Sequence, residues 1–455
     1  MNFGILGAVS FGLLLRWLVA RGPHSGEGKP PMYGDYEAQR HWMEITYQLP
    51  LQDWYRNSTD NDLLYWGLDY PPLTAYHSWI LGYVGNRLNS IWMSLRTSRG
   101  LENYHHKFFM RSTVILADLL IYIPALLHLV AFLKPPTDLD KTMYLLALLS
   151  YPGLLLVDHG HFQYNCVSLG LFLWSVLWIS ERHECAGAVA FSLALNYKQL
   201  ELYHALPMFV CLLSRSYRAT EENRFLKLSK ISVVTLGTFA IIWSPFLYHG
   251  RDSVLAVLQR LFPFQRGIYE DKVANFWCTT SVLIKWQRIL TTPVLIRLCG
   301  AATFLSTLPS LCMLWLHPNK QQFVLSLIIS SLGFFLFSYH VHEKGILLSS
   351  VAAMLMMKEL REPILWFLLV SSISLFPLCV KDELCLAFYA LIIGYYTFVT
   401  EVFRLQLFPA KSATAASKDS EPTTVLLRGL FIHGTVLFGL LLTIFSLLIP
   451  PPAIG

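Results

Sequence analysis

The chain has 455 residues, of which 54% are hydrophobic and only 14% charged, with a mean hydropathy of +0.46 and a formal net charge of +6. Soluble domains average about 25% charged residues, so this composition excludes an ordinary soluble protein and reads as a polytopic membrane protein. The basic residues are spread without a dense run, which leaves a nucleic-acid-binding role unsupported and an anionic headgroup or phosphate-bearing substrate open. The eight cysteines form no CxxC pair and fall mostly in apolar stretches, so they read as small buried hydrophobes.

The first apolar run, residues 3–20, carries Arg16 near its end and lacks a small-residue cleavage site, as expected of a retained signal anchor. Met32 to Pro50 follows. Read as a helix from Tyr36, it places Ala38, Trp42, Ile45 and Leu49 on one face and Glu37, His41, Glu44 and Gln48 on another. Its length of about 14 residues spans about 21 Å, short of the hydrocarbon core, so it is expected to lie along a membrane surface. Asp35 stands where an N-cap stands. The same carboxylate is a candidate general base, provided that one oxygen stays free of the cap. Asn57-Ser58-Thr59 is the one glycosylation sequon. In Trp66 to His77, Pro71-Pro72 fixes the backbone and opens a helix whose apolar face is expected to be Leu73, Tyr76, Ile80 and Val84. Asp69, held between Trp66 and Pro71, is a candidate for binding sugar hydroxyls.

Apolar runs then occupy 111–133, 142–157, 166–180, 186–213, 231–248, 293–316, 323–339, 345–357, 364–380, 384–403 and 428–449. The run 186–213 is interrupted by Asn196-Tyr197-Lys198-Gln199-Leu200-Glu201, and charge at that depth implies two short segments meeting at a polar break. Alternation then places 21–110, 158–165, 196–204, 249–292 and 340–344 on one side of the membrane. The opposite side holds 214–230, whose Arg215, Arg218, Arg224, Lys227 and Lys230 favour the cytosol, so the first side is expected to be luminal. The expected divisions are an anchor at 1–20, a luminal loop with the catalytic motif at 21–110, a multi-pass domain at 111–403, a cytosolic linker at 404–427 and a last span with tail at 428–455.

Asp158 to Asn165 contains two histidines beside an acid, yet has no third local metal ligand, and reads as a cluster bonding its own backbone. Arg266 to Trp277 is either a solvated helix face or a binding element. Tyr339 to Lys344 sets His342, Glu343 and Lys344 at membrane depth, where His342 and Lys344 could neutralise a phosphate, with a snorkelling Lys344–Glu343 pair as the alternative. The two DxD strings, Asp60 to Asp62 and Asp138 to Asp140, fall on opposite sides and read as chance.

Tyr33 to Trp42, Trp66 to His77, Gly160 to Asn165, Glu270 to Asn275 and Val341 to Lys344 together resemble the endoplasmic-reticulum glucosyltransferases that use dolichyl-phosphate glucose to extend the dolichol-linked N-glycan precursor. GDYEAQRHW and WGLDYPPLTAYH are similar to the members adding the first α-1,3-glucose. His340 departs toward the second-glucose paralogue, and the ending at Pro450-Pro451-Pro452-Ala453-Ile454-Gly455 departs from the family as a shortened form would. The resemblance implies an all-α polytopic membrane protein with the C-type glycosyltransferase fold, surface-lying helices in the first loop and a luminal active site in the endoplasmic reticulum. It implies inverting transfer with Asp35 as base, and Arg266, Lys272, His342 and Lys344 stabilising the leaving phosphate. Asp69 and Glu343 would orient sugar hydroxyls or hold the basic groups. It further implies no metal cofactor, a dolichol-linked oligosaccharide as acceptor, and a monomer within the lipid bilayer. The alternatives are the second-glucose paralogue and a non-enzymatic lipid-sugar transporter or flippase.

Overall fold

The computed structural model describes residues 3–220, 223–262, 273–405 and 422–449, and these are helical throughout their regular structure. Among the described residues, nine helices are long and apolar enough to cross a membrane, the first being Phe3–Ala20 and the last Thr423–Leu448. Outward leucines such as Leu236, Leu305 and Leu441 are exposed, which suits a lipid-facing surface. Most of the linker expected at 404–427, and the tail from 450, lie outside the described residues.

Several charged groups inside the bundle pair with one another. Arg16 of Phe3–Ala20 bonds the Asp118 carboxylate and also donates to Leu149 O at 2.9 Å, while His159 meets Asp118 at 2.9 Å. Asp118 opens a π-helical turn, Asp118–Tyr122, inside the span Tyr104–Leu133. Pro124 lies just beyond, and its missing N–H cannot continue the i to i−4 ladder, a recognised cause of such widening.

Three other breaks sit at one end of the bundle. Asp138–Leu149 stops before Pro152, and Leu155–Phe162 then continues in π-helical form to an extended Gln163. Glu184–Tyr197 and Leu202–Tyr217 meet at an extended Lys198, as the interrupted run 186–213 predicts. Lys320–Phe337 and Ile346–Met354 are separated by the segment carrying His342, Glu343 and Lys344. The first loop folds over this end.

Within that loop, the helix Gly34–Gln48 differs from the expected amphipathic segment because it lacks a wet face. Tyr36 to Thr46 are all buried. The polar side is covered because its charges are paired: Arg40 bonds Glu37 at 2.7 Å and Glu44 at 2.6 Å, and Ser98 at 2.6 Å. Tyr65 donates to Glu37 at 2.9 Å, and the Arg96 N–H to Glu44 at 2.7 Å. The neighbouring helix Pro72–Leu88 also packs differently from expectation. Its buried stripe is Thr74, Ala75, Ser78, Gly82 and Gly85, whereas Ile80 and Val84 are exposed. Close approach decides this, since a Cβ at Gly82 would lie 2.4 Å from Met43 O.

Burial alone pushes the Glu44 carboxyl up, but His41, Arg40 and the Arg96 N–H bring it down to about 2. A depressed acid contributes stability that is complete above its unfolded value near 4.5 and is lost as the pH falls toward about 2. Arg40→Met leaves two buried carboxylates without their cation, and we expect a loss of about 3 to 5 kcal/mol. Thermal unfolding in detergent checks this: a midpoint within a degree or two of the parent would refute the role of the triad.

Candidate active site

Asp35 does not cap its helix. The residue before Gly34–Gln48 is Tyr33, in the left-handed region at φ 54°, and the Asp35 N–H is accepted by Ser25 Oγ at 3.1 Å. Gly34 itself has φ 64°, and a Cβ there would fall 2.6 Å from the Ser25 carbonyl, so only glycine brings the two strands of the loop together. A hydroxyl ten residues upstream thus does the capping work expected of Asp35, and the carboxylate turns into a cavity of about 460 Å³.

Two donors and the His161 ring converge on the same Asp35 oxygen. Oδ2 accepts from Gln163 Nε2 at 2.5 Å and Lys344 Nζ at 2.8 Å, and lies 3.0 Å from His161 Nε2. Oδ1 has no hydrogen bond among the described residues and is left for a hydroxyl in the cavity. Burial pushes the Asp35 carboxyl up, but the Lys344 and His161 charges and hydrogen bonds outweigh it and hold the group well below the carboxylate range. Burial pushes Lys344 down, and Asp35 with Glu343 more than reverses this, so the ammonium is held above its usual value. Lys344 is therefore not a snorkelling partner of Glu343, which lies 3.8 Å away against 2.8 Å for Asp35.

The opposite wall is aromatic. Trp42, Trp66 and Tyr70 line it, with Asp69 at its edge. Carbonyl bonds pin the segment Trp66 to Tyr70 from several elements: Trp42 to Trp66 O at 2.8 Å, Arg260 to Gly67 O at 2.6 Å, Gln199 to Asp69 O at 2.9 Å, and Tyr55 to Tyr70 O at 2.7 Å. Lys198 stands at the inner end, 2.5 Å from Asn165 Oδ1 and 5.1 Å from the centre of the Tyr70 ring. A flat ring surface, two carboxylates and fixed cations suit a sugar bound beside an anionic leaving group.

The structure brings together Asp35, Asp69, His342, Glu343 and Lys344 of the sequence candidates. Arg266 and Lys272 lie outside the described residues. Asn57 sits apart on an exposed loop, its side-chain oxygen accepting from the Leu63 N–H at 3.1 Å. Sequence reasoning passed over His161, Gln163 and Lys198. The 158–165 cluster was expected to bond locally, and Asp158 does so, to Asn165 at 2.6 Å and the Cys166 N–H at 2.7 Å. His159 and His161 instead reach carboxylates on other spans or loops. Two histidines on a widened turn at membrane depth were the available signal. The DxD acids have structural partners: Asp60 pairs with Arg96, Asp62 accepts from the Leu64 N–H, Asp138 pairs with Lys141, and Asp140 forms a capping box with Thr137.

A multi-span helical chain with a half-buried carboxylate, cations and aromatic rings around one open cavity is, as a class, a membrane-embedded group-transfer enzyme of the glycosyltransferase kind. Residues 12–453 match the ALG6, ALG8 glycosyltransferase family, and the chain belongs to it. It is 46% identical to the dolichyl pyrophosphate Man9GlcNAc2 alpha-1,3-glucosyltransferase of Gallus gallus, over 98% of this chain and 89% of that one. It is 50% identical to the Pongo abelii protein of the same name, over 83% and 74% of the two chains. With the probable Caenorhabditis elegans counterpart the identity is 48%, over 85% and 76%.

Lys344→Met removes the largest opposing charge, so burial prevails and the Asp35 carboxyl rises. Protonation then reaches it from a higher pH, and the acid limb of kcat/KM moves up while turnover at neutral pH falls about tenfold or more. An unmoved acid limb would show that His161 and Gln163 hold Asp35 ionised by themselves.

Proposed function

We propose that this enzyme transfers the first glucose, in α-1,3 linkage, from dolichyl-phosphate glucose to the Man9GlcNAc2 oligosaccharide on dolichyl diphosphate. It does so as a monomer in the endoplasmic-reticulum membrane, at a site open to the lumen. The observation that carries this reading is a coincidence of two facts. Relatives bearing that activity in their names match 98% of the chain, and the acid with an unengaged oxygen stands on the cavity wall beside a lysine.

The donor bond is β and the product bond α, so one displacement with one base suffices. The acceptor 3-hydroxyl gives its proton to Asp35 while its oxygen attacks the anomeric carbon from the face opposite the phosphate. The bond from that carbon to the phosphate oxygen breaks, and its electron pair leaves with dolichyl phosphate. A phosphate needs charge stabilisation more than protonation, a role for Lys344 and His342 and, beyond the described residues, Arg266 and Lys272. Asp69 and Glu343 orient sugar hydroxyls, and the Trp42, Trp66 and Tyr70 rings offer a face for the hexose. The chemistry needs no metal. Asn57 carries an N-glycan if its loop is luminal.

With purified protein, dolichyl-phosphate glucose and the nine-mannose acceptor lipid, Asp35→Asn is expected to lower turnover about 10² to 10⁴-fold. Near-normal turnover would remove Asp35 from the chemistry. Activity should survive EDTA in full, and a loss restored by manganese would overturn the metal-free part of the reading.

A further inference from the structure

Asp382 is a carboxylate with no evident structural reward. It is the C-cap residue of Phe376–Lys381, in a closing turn where the Leu384 N–H bonds Cys379 O at 2.8 Å, the Glu383 N–H bonds Val380 O at 3.2 Å, and Glu383 takes φ 62°. Leu384 packs back toward Gly160, so this turn is fixed against the π-helical segment Leu155–Phe162. An acid at a helix C-terminus opposes the helix dipole. Its side chain is 1% exposed, and among the described residues its one hydrogen-bonding side-chain partner is His161, whose Nδ1 lies 2.5 Å from Oδ2 while Oδ1 has no partner. Burying such a charge is costly, and the other cation that feels it, Arg111, spends its hydrogen bonds on His159 O and Pro23 O.

His161 joins it to the base. Nε2 lies 3.0 Å from Asp35 Oδ2 and 3.1 Å from Lys344 Nζ. With Asp382 ionised, the 2.5 Å contact puts a proton on Nδ1. Once the ring has shed its second proton, Nε2 is bare and can accept from Lys344 or from a protonated Asp35, and a carboxylate facing that lone pair is satisfied by Lys344 and Gln163 instead. Asp35, Asp382 and Lys344 are thus the charged groups against the ring, contributed by the first loop, the turn after Lys381 and the segment after Phe337, with Gln163 from its own strand.

Resting on the assignment of Asp35 as base, we propose that Asp382 is a positioning residue that holds His161 with its proton on Nδ1, so that Nε2 takes over the proton Asp35 has collected. The transfer is balanced. The proton from the acceptor hydroxyl passes from Asp35 to Nε2, Asp35 returns to carboxylate, and the imidazolium is matched by Asp382 until the proton leaves through the open cavity to water. No oxidant or further reactant is required. An asparagine at 382 donates to Nδ1 and drives the ring proton onto Nε2, where it blocks the relay, the consequence known for a wrong histidine tautomer in the serine-protease triad.

The test compares Asp382→Asn, Asp382→Leu and Asp382→Glu in the reconstituted assay, with thermal unfolding measured on the same preparations. Asn and Leu are expected to lower kcat about 100-fold while leaving KM for both substrates within about twofold, with Glu recovering at least a tenth of the parent rate. The Leu variant leaves His161 Nδ1 without its partner and is expected to unfold earlier, so the Asn and Glu variants, which keep a hydrogen bond to the ring, separate loss of the relay from loss of the fold. Parent-like kcat in Asn and Leu overturns the proposal, as does activity of the Asn variant falling only in step with an earlier unfolding. Asp35→Asn is run alongside: a fully active Asp35→Asn defeats the base itself, whereas an inactive one beside an unimpaired Asp382→Asn defeats only the relay.

Discussion

The ion pair between Asp35 and Lys344 holds the site together, across 309 positions of sequence. Lys344 stands in a break between two apolar helices, and a lone ammonium there would be costly to bury. Asp35 in the first loop would likewise protonate if it were buried alone. Each charge keeps the other ionised, so docking the loop on the bundle and poising the carboxylate are one event. His161 and Gln163 complete the arrangement from a third segment. The carboxylate is then crowded on Oδ2, with Oδ1 free of hydrogen bonds from the described residues.

The same end of the bundle is where the helices stop being regular. Non-helical backbone at membrane depth is tolerable only where it lines protein or a wet cavity. Lys198, Gln163 and the segment from Ser338 to Gly345 all meet that condition, since each borders the cavity or its supports. The widened turn ahead of Gln163 lets His159 and His161, two residues apart, point to different partners, Asp118 and Asp382. A uniform helix would carry them at a fixed angle around its axis. The irregularity is therefore what lets one short segment serve both the internal packing and the cavity.

Around this sit two buried charge clusters away from the cavity. Arg16 with Asp118 and His159 ties the first helix to two others, and Glu37, Arg40 and Glu44 tie Gly34–Gln48 to the rest of its loop through Tyr65, Ser98 and the Arg96 N–H. Such clusters contribute little net energy compared with apolar packing, but once formed they admit few alternative arrangements. The small-residue stripe on Pro72–Leu88 acts similarly by contact: at the separation Gly82 allows, a different register would bring side chains into the Met43 backbone. Asp35 and the aromatic wall are held to one another through this loop, which explains how a site built on loops can be rigid.

The runs 166–180, 186–213 and 345–357 form helices shorter than a simple span, but the sequence does show which stretches are apolar, where the run 186–213 breaks, that Pro71-Pro72 opens a helix, and that Asp35, Asp69, His342, Glu343 and Lys344 belong together. Those properties follow from local composition and alternation, which do not depend on what a segment later touches. Tertiary structure alone decided the rest. The Asp35 cap passed to Ser25 because a glycine turn brings residue 25 to the helix start. The polar face of Gly34–Gln48 was covered because its own arginine pairs with both of its glutamates, and the packing face of Pro72–Leu88 was chosen by proximity instead of hydrophobicity. Asp382 falls between two apolar runs with no motif around it, and only the fold sets it 2.5 Å from a histidine 221 positions away. A side chain's charge state and partner are properties of the space around it, and periodicity along the chain carries no record of that space.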